Sequence, residues 1–422
     1  MAKILILIGA HLCTAPRPQK EAQSLANAGH DVTVRGFWFD PELVKRDRIL
    51  MTNKKWRFEP IIDFQPTTTQ GRLQNLGVRL QARIGRERFE RFGTFSPAVL
   101  GYGAEAMLKA ARQAGADLTI VHSEVGLWVG NQLLDEGFRV GVDFEDWFSE
   151  DLLPAERAAK PIAKLKVLES RLARDCTYCL TTSHALAEAL AHCLKAPKPT
   201  VIYNVFPWAE QQQMDQLQRD RRHLDLPSLH WFSQTIGPGR GLETLFQALP
   251  YLTLPVEIHL RGNYPESTRQ WLEPLVPPAW RDRLFIHSTV PNAELLSRIA
   301  EHDIGLALEC TDIPSRNLTI TNKLGQYLQA GLAVIATDTA GQREVLDRWP
   351  AVGRLIPSND PLAQAQALSD LLQAPEKLRV AKAAALQAAK EFCWEQQVMV
   401  LLQAAELALV QKNITKNLYA YS

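Results

Sequence analysis

The segment Thr235-Ile236-Gly237-Pro238-Gly239-Arg240-Gly241-Leu242-Glu243 follows an apolar run and opens a helical pattern. Small residues let a backbone approach an anion closely, and first-turn N–H groups of a helix favour negative charge. Arg240 adds a fixed cation with several donors. An ordinary Gly-rich turn with a surface arginine has the same composition. A second cation, Lys323, opens the helical pattern Asn322–Ala330, where positive charge is unfavourable against the helix dipole. A bound anion would offset that cost; a lysine pointing into water would leave it standing. Both positions suit a phosphate-bearing ligand.

Two histidines and an acidic cluster add proton chemistry. His122 ends the apolar run Leu118–Val121, and His11 follows Gly9 and Ala10 after another. Imidazole at such a place can donate a hydrogen bond to a substrate or carry a proton, or it can be a satisfied structural group. Asp143-Phe144-Glu145-Asp146 puts three carboxylates at the end of a further run, suited to binding hydroxyls, taking up a proton or capping a helix. No Asp-x-Asp triplet occurs, so a metal-assisted diphosphate site of that kind has no candidate, and no metal is expected. Cys176-Thr177-Tyr178-Cys179 lacks a second Cys pair or a spaced His pair, which argues against a metal or redox role.

The elements that must position these groups form two series of strand-then-helix patterns. The first runs from Lys3–Ile8 through Asp31–Val34, Leu118–Val121, Arg139–Val142 and Thr177–Thr182 to Thr200–Tyr203. The second comprises Leu229–Ser233, Val256–Leu260, Leu284–Ile286, Ile304–Leu308, Ala333–Ala336 and Arg354–Ile356. Phe206–Pro227, rich in Gln, Arg and Pro, reads as the linker, and Pro361–Val410 as helix. Apolar strands alternating with helices imply parallel sheets covered on both faces. Such sheets bind ligands at the carboxyl ends of their strands, where the winding reverses. The expected architecture is therefore α/β, with two doubly wound Rossmann-like domains facing across a cleft.

Composition narrows the class. The chain has 422 residues, 46% hydrophobic and 22% charged, with a formal net charge of +1, so it has no global basic field for nucleic acid. Six scattered cysteines form no disulfide framework, and the short N-terminal apolar run ending in Gly9 reads as a buried strand rather than a signal peptide. A cytoplasmic protein is expected. Arg72–Phe92 is a basic helical stretch in which six arginines interleave with Leu73, Leu76, Leu80, Ile84 and Phe92. It is the candidate for peripheral contact with an anionic membrane, against the plainer reading of a solvated flank diluted by Glu87 and Glu90.

Together these residues resemble the family 4, or group 1, glycosyltransferases of GT-B fold. The resemblance is carried by Lys3–Gly9, Gly29–Val34, Leu168–Asp175 leading to Thr181-Thr182-Ser183, Val201–Asn204, Gly239–Glu243, Glu391–Glu395 and, most specifically, Asn322-Lys323 through Ala330–Ile335. It implies an acceptor-side domain over residues 1–207 and a nucleotide-sugar domain with the linker over 208–392. A helix and tail over 393–422 would cross back to the first domain. It implies that Arg240 holds the diphosphate, that Lys323 belongs to the donor loop and helix, and that His122 lies near the transferred sugar. Those three form the expected catalytic set. The expected substrate-binding set is Gly9, His11, Asp143, Asp146, Asn204, Gly237, Gly239, Gly262, Glu309, Thr321, Asn322 and Gln326. The family's usual glutamate pair falls on Leu318 and Gln326 here, and Glu309 is the candidate for a shifted carboxylate. Glutamine still bonds ribose hydroxyls.

The implied activity is a retaining, metal-independent transfer from a nucleoside-diphosphate sugar bound between the two domains to an acceptor hydroxyl of unspecified identity. The nucleotide sugar is a substrate, and no cofactor is expected. A sugar-nucleotide epimerase on the same fold, or a non-catalytic binding subunit lacking the glutamate pair, are the alternatives.

Overall fold

The structure, a computed structural model, describes residues 1–65, 69–153 and 157–410. The chain divides into two compact units: Met1–Thr182, Leu186–Ile202 and the chain from Val398, and then Ser183–Ala185 with Tyr203–Gln397. The C-terminal helix Trp394–Val410 thus starts in the second unit and continues in the first.

The first unit holds a seven-stranded sheet: β1 (Lys3–Leu7), β2 (Asp31–Trp38), β3 (Arg57–Asp63), β4 (Leu118–Val121), β5 (Val140–Phe144), β6 (Tyr178–Thr181) and β7 (Thr200–Val201). The order is β3-β2-β1-β4-β5-β6-β7, and all pairs are parallel. β4 and β5 are buried at every residue, as expected of strands covered on both faces. The winding reverses between β1 and β4, so the segments after Leu7 and Val121 adjoin, and the His122 N–H donates to the Leu7 carbonyl at 2.9 Å.

β3 is absent from the sequence expectation. It carries Pro60 and is only partly buried, which hides its strand pattern, but it is the edge strand, where a missing N–H is tolerated. β2 also runs on to Trp38, beyond the expected Val34.

The second unit holds six parallel strands: β8 (Ser228–Thr235), β9 (Glu257–Asn263), β10 (Leu284–His287), β11 (Ile304–Ala307), β12 (Ala333–Thr337) and β13 (Gly353–Ile356). Their order is β10-β9-β8-β11-β12-β13, reversing between β8 and β11. The Gly237–Gly241 turn follows β8 and Glu309 follows β11, so both lie at the switch point. Strand alternation divides the core into two layers. Ala333 and Ile335 of β12 pack with Trp231, Leu245 and Phe246, while Val334 and Ala336 pack with Leu324, Tyr327 and Leu328.

Gly305 lets the helix Asn322–Ala330 approach β11, because a Cβ there would meet the Tyr327 ring at 2.2 Å. The Tyr327 hydroxyl then donates to the His230 carbonyl at 3.0 Å, which fixes where Lys323 projects. The expected linker is anchored within the second unit: Arg221 Nε donates to Glu257 at 2.8 Å, and Asp220 accepts from Arg261.

Candidate functional site

In the second unit, the turn after β8 has its shape from glycine. Gly239 and Gly241 have φ of +73° and +75°, and a Cβ on Gly241 would lie 2.6 Å from Leu308 Cβ. The Gly239 N–H donates to Glu243 Oε1 at 3.0 Å, and the Gly239 carbonyl accepts from Arg316 Nη1 at 3.2 Å. At Gly237, by contrast, a Cβ would meet nothing within 4 Å. Gly262, at the end of β9, faces the Ser233 carbonyl, 2.8 Å from where a Cβ would stand.

Lys323 is buried in the first turn of its helix, with Nζ 2.8 Å from Glu309 Oε1 and 3.5 Å from the Thr321 hydroxyl. The charge that the sequence left unbalanced against the helix dipole thus has a protein counter-ion. Glu309 serves as that partner. Burial pushes its carboxyl up, but the Lys323 and Arg240 charges prevail and hold it below the ordinary carboxylate range. Burial, reinforced by repulsion from Arg240, holds the Lys323 ammonium below its ordinary value despite Glu309. Arg316 adds further repulsion. Lys323 and Arg240 therefore both act on Glu309, and Arg316 acts on Lys323, while Glu243 and Asp312 line the adjoining cavity, so cations and carboxylates are gathered together at the switch point. Asn322 is exposed at the helix start, and Gln326 is buried one turn on.

Beside this group lies a cavity of about 210 Å³, lined among others by Gly239, Gly241, Glu243, Glu309, Asp312 and Gln364. Gln364 is fully buried, and both polar atoms of its amide lack a partner. Buried amides are normally satisfied, which sets Gln364 apart from the other residues of the cavity wall. Sequence reasoning passed over Gln364, one glutamine among many in a helical tail, and Arg316, one arginine among many.

In the first unit, His122 is buried between two carboxylates: Nδ1 is 2.7 Å from Glu145 Oε1 and Nε2 is 3.0 Å from Glu21 Oε2. Burial alone would lower its pKa, but these two bonds outweigh burial and raise it to about 10. His122 is thus an imidazolium at neutral pH, a charge donor rather than a free base. Glu21 also accepts from the Tyr178 hydroxyl at 2.6 Å.

Asp143 is held by Arg17, whose Nε and Nη2 donate to its two oxygens at 2.6 and 3.0 Å, both side chains being about 1% exposed. Of the three carboxylates in the acidic cluster, the middle one, Glu145, touches His122, while Asp146 is exposed. Glu21, His122 and Asp143 bring ligand-type atoms within 4.8 Å of one another, but those atoms already bond Arg17, Tyr178, Glu145 or each other.

His11 is fully buried. Its Nδ1 lies 3.1 Å from Asp47, and its Nε2 accepts the N–H groups of Phe39 and Asp40 at 3.0 and 3.1 Å, so both nitrogens are accounted for within the unit. Gly9 adjoins Ser123, whose side-chain atoms lie 2.7 Å from where a Cβ would stand. Ser123 has a φ of +74° and a buried hydroxyl without a partner. Asn204 is half-buried just past β7 and belongs to the second unit. All six cysteines are free, and the hydrogen bond with Cys176, together with burial, holds the Cys179 thiol well above its ordinary value, unlike a reactive thiolate.

Two doubly wound parallel-sheet units in one chain are the architecture of the GT-B fold. Residues 229–374, within the second unit, match the family described as Glycosyl transferases group 1. No curated protein sequence matches the chain. Among solved structures, sucrose-phosphate synthase from Thermosynechococcus elongatus is similar at 17% identity and TM-score 0.71, over 96% of this chain and 98% of that one. HepE of Anabaena in complex with UDP-glucose is similar at 16% identity and TM-score 0.66, over 96% and 100%. A glycosyltransferase from Rickettsia africae is similar at 13% identity and TM-score 0.65, over 97% and 99%. At these identities the structural likeness establishes the fold.

Proposed function

We propose that this chain transfers a sugar from a nucleoside-diphosphate sugar to an acceptor hydroxyl, with retention at the anomeric carbon and without a metal. The observation that carries the reading is the gathering of Arg240 and Lys323, with Arg316 close by, at the Gly-rich turn and helix start of the second unit's switch point. A departing diphosphate gains negative charge as the glycosidic bond breaks, and preorganised cations stabilise that charge without reorganising. Arg240, half-buried on the Gly-rich turn, is the cation that meets the diphosphate most directly. Lys323, already neutralised in part by Glu309, shares its ammonium between protein and ligand. UDP-glucose in the complex with HepE, a chain of the same fold, makes a UDP-sugar the first donor to test.

The test is thermal unfolding and calorimetric titration with UDP, GDP, ADP and their sugars, with EDTA and with added Mg²⁺, followed by detection of a transferred sugar. A diphosphate that stabilises the protein equally in EDTA supports the reading. Binding that requires Mg²⁺ overturns its metal-free part, and an epimerised free sugar in place of a transfer product overturns the reaction type.

A further inference from the structure

The helix Thr69–Phe92 of the first unit has two apolar faces. One is used internally: Asn75, Ala82 and Gly85 are buried, and Val78 and Phe89 are half-buried. At 100° per residue, these positions centre on one side of the helix. Leu73, Leu76, Leu80 and Ile84 fall within about 80° on the opposite side. They are 65%, 63%, 54% and 40% exposed, so nothing among the described residues covers them. A contiguous exposed apolar stripe of this kind marks an interaction surface.

Its surroundings say what kind of partner fits. Arg72, Arg79, Arg83, Arg86, Arg88 and Arg91 are all exposed, against Glu87 and Glu90 on the same helix. Arg79 stacks over Phe64 and Arg86 over Tyr102, at 5.5 and 5.9 Å, and Arg83 pairs with Glu87 at 3.0 Å. The two ring contacts turn Arg79 and Arg86 towards the body of the unit, while at 100° per residue Arg72, Arg83, Arg88 and Arg91 fall within or next to the leucine stripe. A second copy of this chain docking on the stripe would bring two sets of arginines together. An anionic bilayer instead takes the leucines into its acyl boundary and the arginines against its phosphates. No helix among the described residues is long and apolar enough to cross a membrane, so the contact would be peripheral.

We propose that the outward face of Thr69–Phe92 is a docking surface for an anionic lipid membrane. This goes beyond the transfer reaction and does not depend on it.

The experiment is co-sedimentation of the whole chain with phosphatidylcholine vesicles and with vesicles containing a third of phosphatidylglycerol, at low and high salt. Light scattering of the free protein accompanies it. Wild type pellets with the anionic vesicles at low salt and is released at high salt. The pair Leu76→Ser and Leu80→Ser lowers partitioning roughly tenfold or more. Both positions are exposed, so thermal unfolding stays unchanged. The pair Arg72→Gln and Arg88→Gln lowers partitioning only at low salt, which keeps the test decisive if the leucine variant misfolds. The proposal is overturned by absence of binding to anionic vesicles at low salt, by equal binding to neutral ones, or by unaltered binding of both variants. A dimer in free solution that the leucine substitutions dissociate also overturns it, since a second copy would then cover the stripe.

Discussion

Lys323 and Glu309 form a buried ion pair, Nζ to Oε1 2.8 Å, joining the first turn of the helix Asn322–Ala330 to the segment that leaves β11. The pair gives Lys323 a structural duty that Arg240 does not carry. Removing one partner of a buried pair leaves the other uncompensated in low dielectric.

The two cations should therefore respond differently. Arg240→Ala is expected to weaken nucleoside-diphosphate binding by about 10- to 150-fold, the worth of one charge-assisted hydrogen bond, with little change in stability. Lys323→Ala is expected to weaken binding and also to destabilise the second unit, by up to about 3–5 kcal/mol, because the buried Glu309 loses its hydrogen-bonded counter-ion and keeps only the Arg240 charge. Adding Glu309→Gln to Lys323→Met should restore most of that stability but not the binding. Calorimetry and denaturant unfolding read the two effects apart. Equal stability of the Arg240 and Lys323 single variants would remove the asymmetry.

Arg17 and Asp143 carry a similar duty in the first unit. Arg17→Met leaves the Asp143 carboxylate buried and unpaired, for a loss of about 3–5 kcal/mol. Asp143→Asn keeps one acceptor for Arg17 and should cost less. A urea midpoint for Arg17→Met matching wild type would show that Asp143 finds another partner.

His122 makes the first unit sensitive to high pH. Its pKa is raised from the ordinary 6.5 to about 10 in the folded state. The stabilisation is thus fully present below pH 6.5 and is lost as pH rises through 10, on the order of several kcal/mol. His122→Gln should flatten that alkaline decline and reduce sugar transfer more than donor binding. Unchanged turnover in this variant would leave His122 a purely structural cation.

The second unit should show the opposite pH response. His259 stacks on His287 with ring centroids 5.2 Å apart and lies tilted against His302 at 4.5 Å, while His302 stacks on His230 at 4.5 Å. Burial, against the bond to Glu257, lowers His259 to about 4, and burial holds His230 and His302 well below their ordinary value. The unfolded chain then binds more protons than the folded one, so stability present above pH 6.5 is lost as pH falls towards 4. For His259 alone the loss is on the order of 3 kcal/mol. Both ring nitrogens of His230 are buried without a partner, so His230→Phe should shrink the acid loss and leave neutral stability equal or higher. A steeper acid transition in His230→Phe would contradict this account.

The local patterns were sufficient for much of this protein. Two series of apolar strands alternating with helices determined two doubly wound parallel sheets, because only strands covered on both faces read as continuous apolar runs. The same patterns placed Arg240 and Lys323 at strand–helix junctions and His122 at a strand end, since backbone periodicity is a property of neighbours in the chain. β3 escaped because an edge strand tolerates Pro60 and a half-polar face. The partners of the charges belonged to the tertiary structure alone. Glu309 on Lys323, Arg17 on Asp143, and Glu21 with Glu145 on His122 are separated by between 14 and 126 residues. Whether a charge is a free ligand group or half of a buried pair depends on which distant segment the fold lays against it and on the water that contact excludes. No periodicity in the chain encodes that choice.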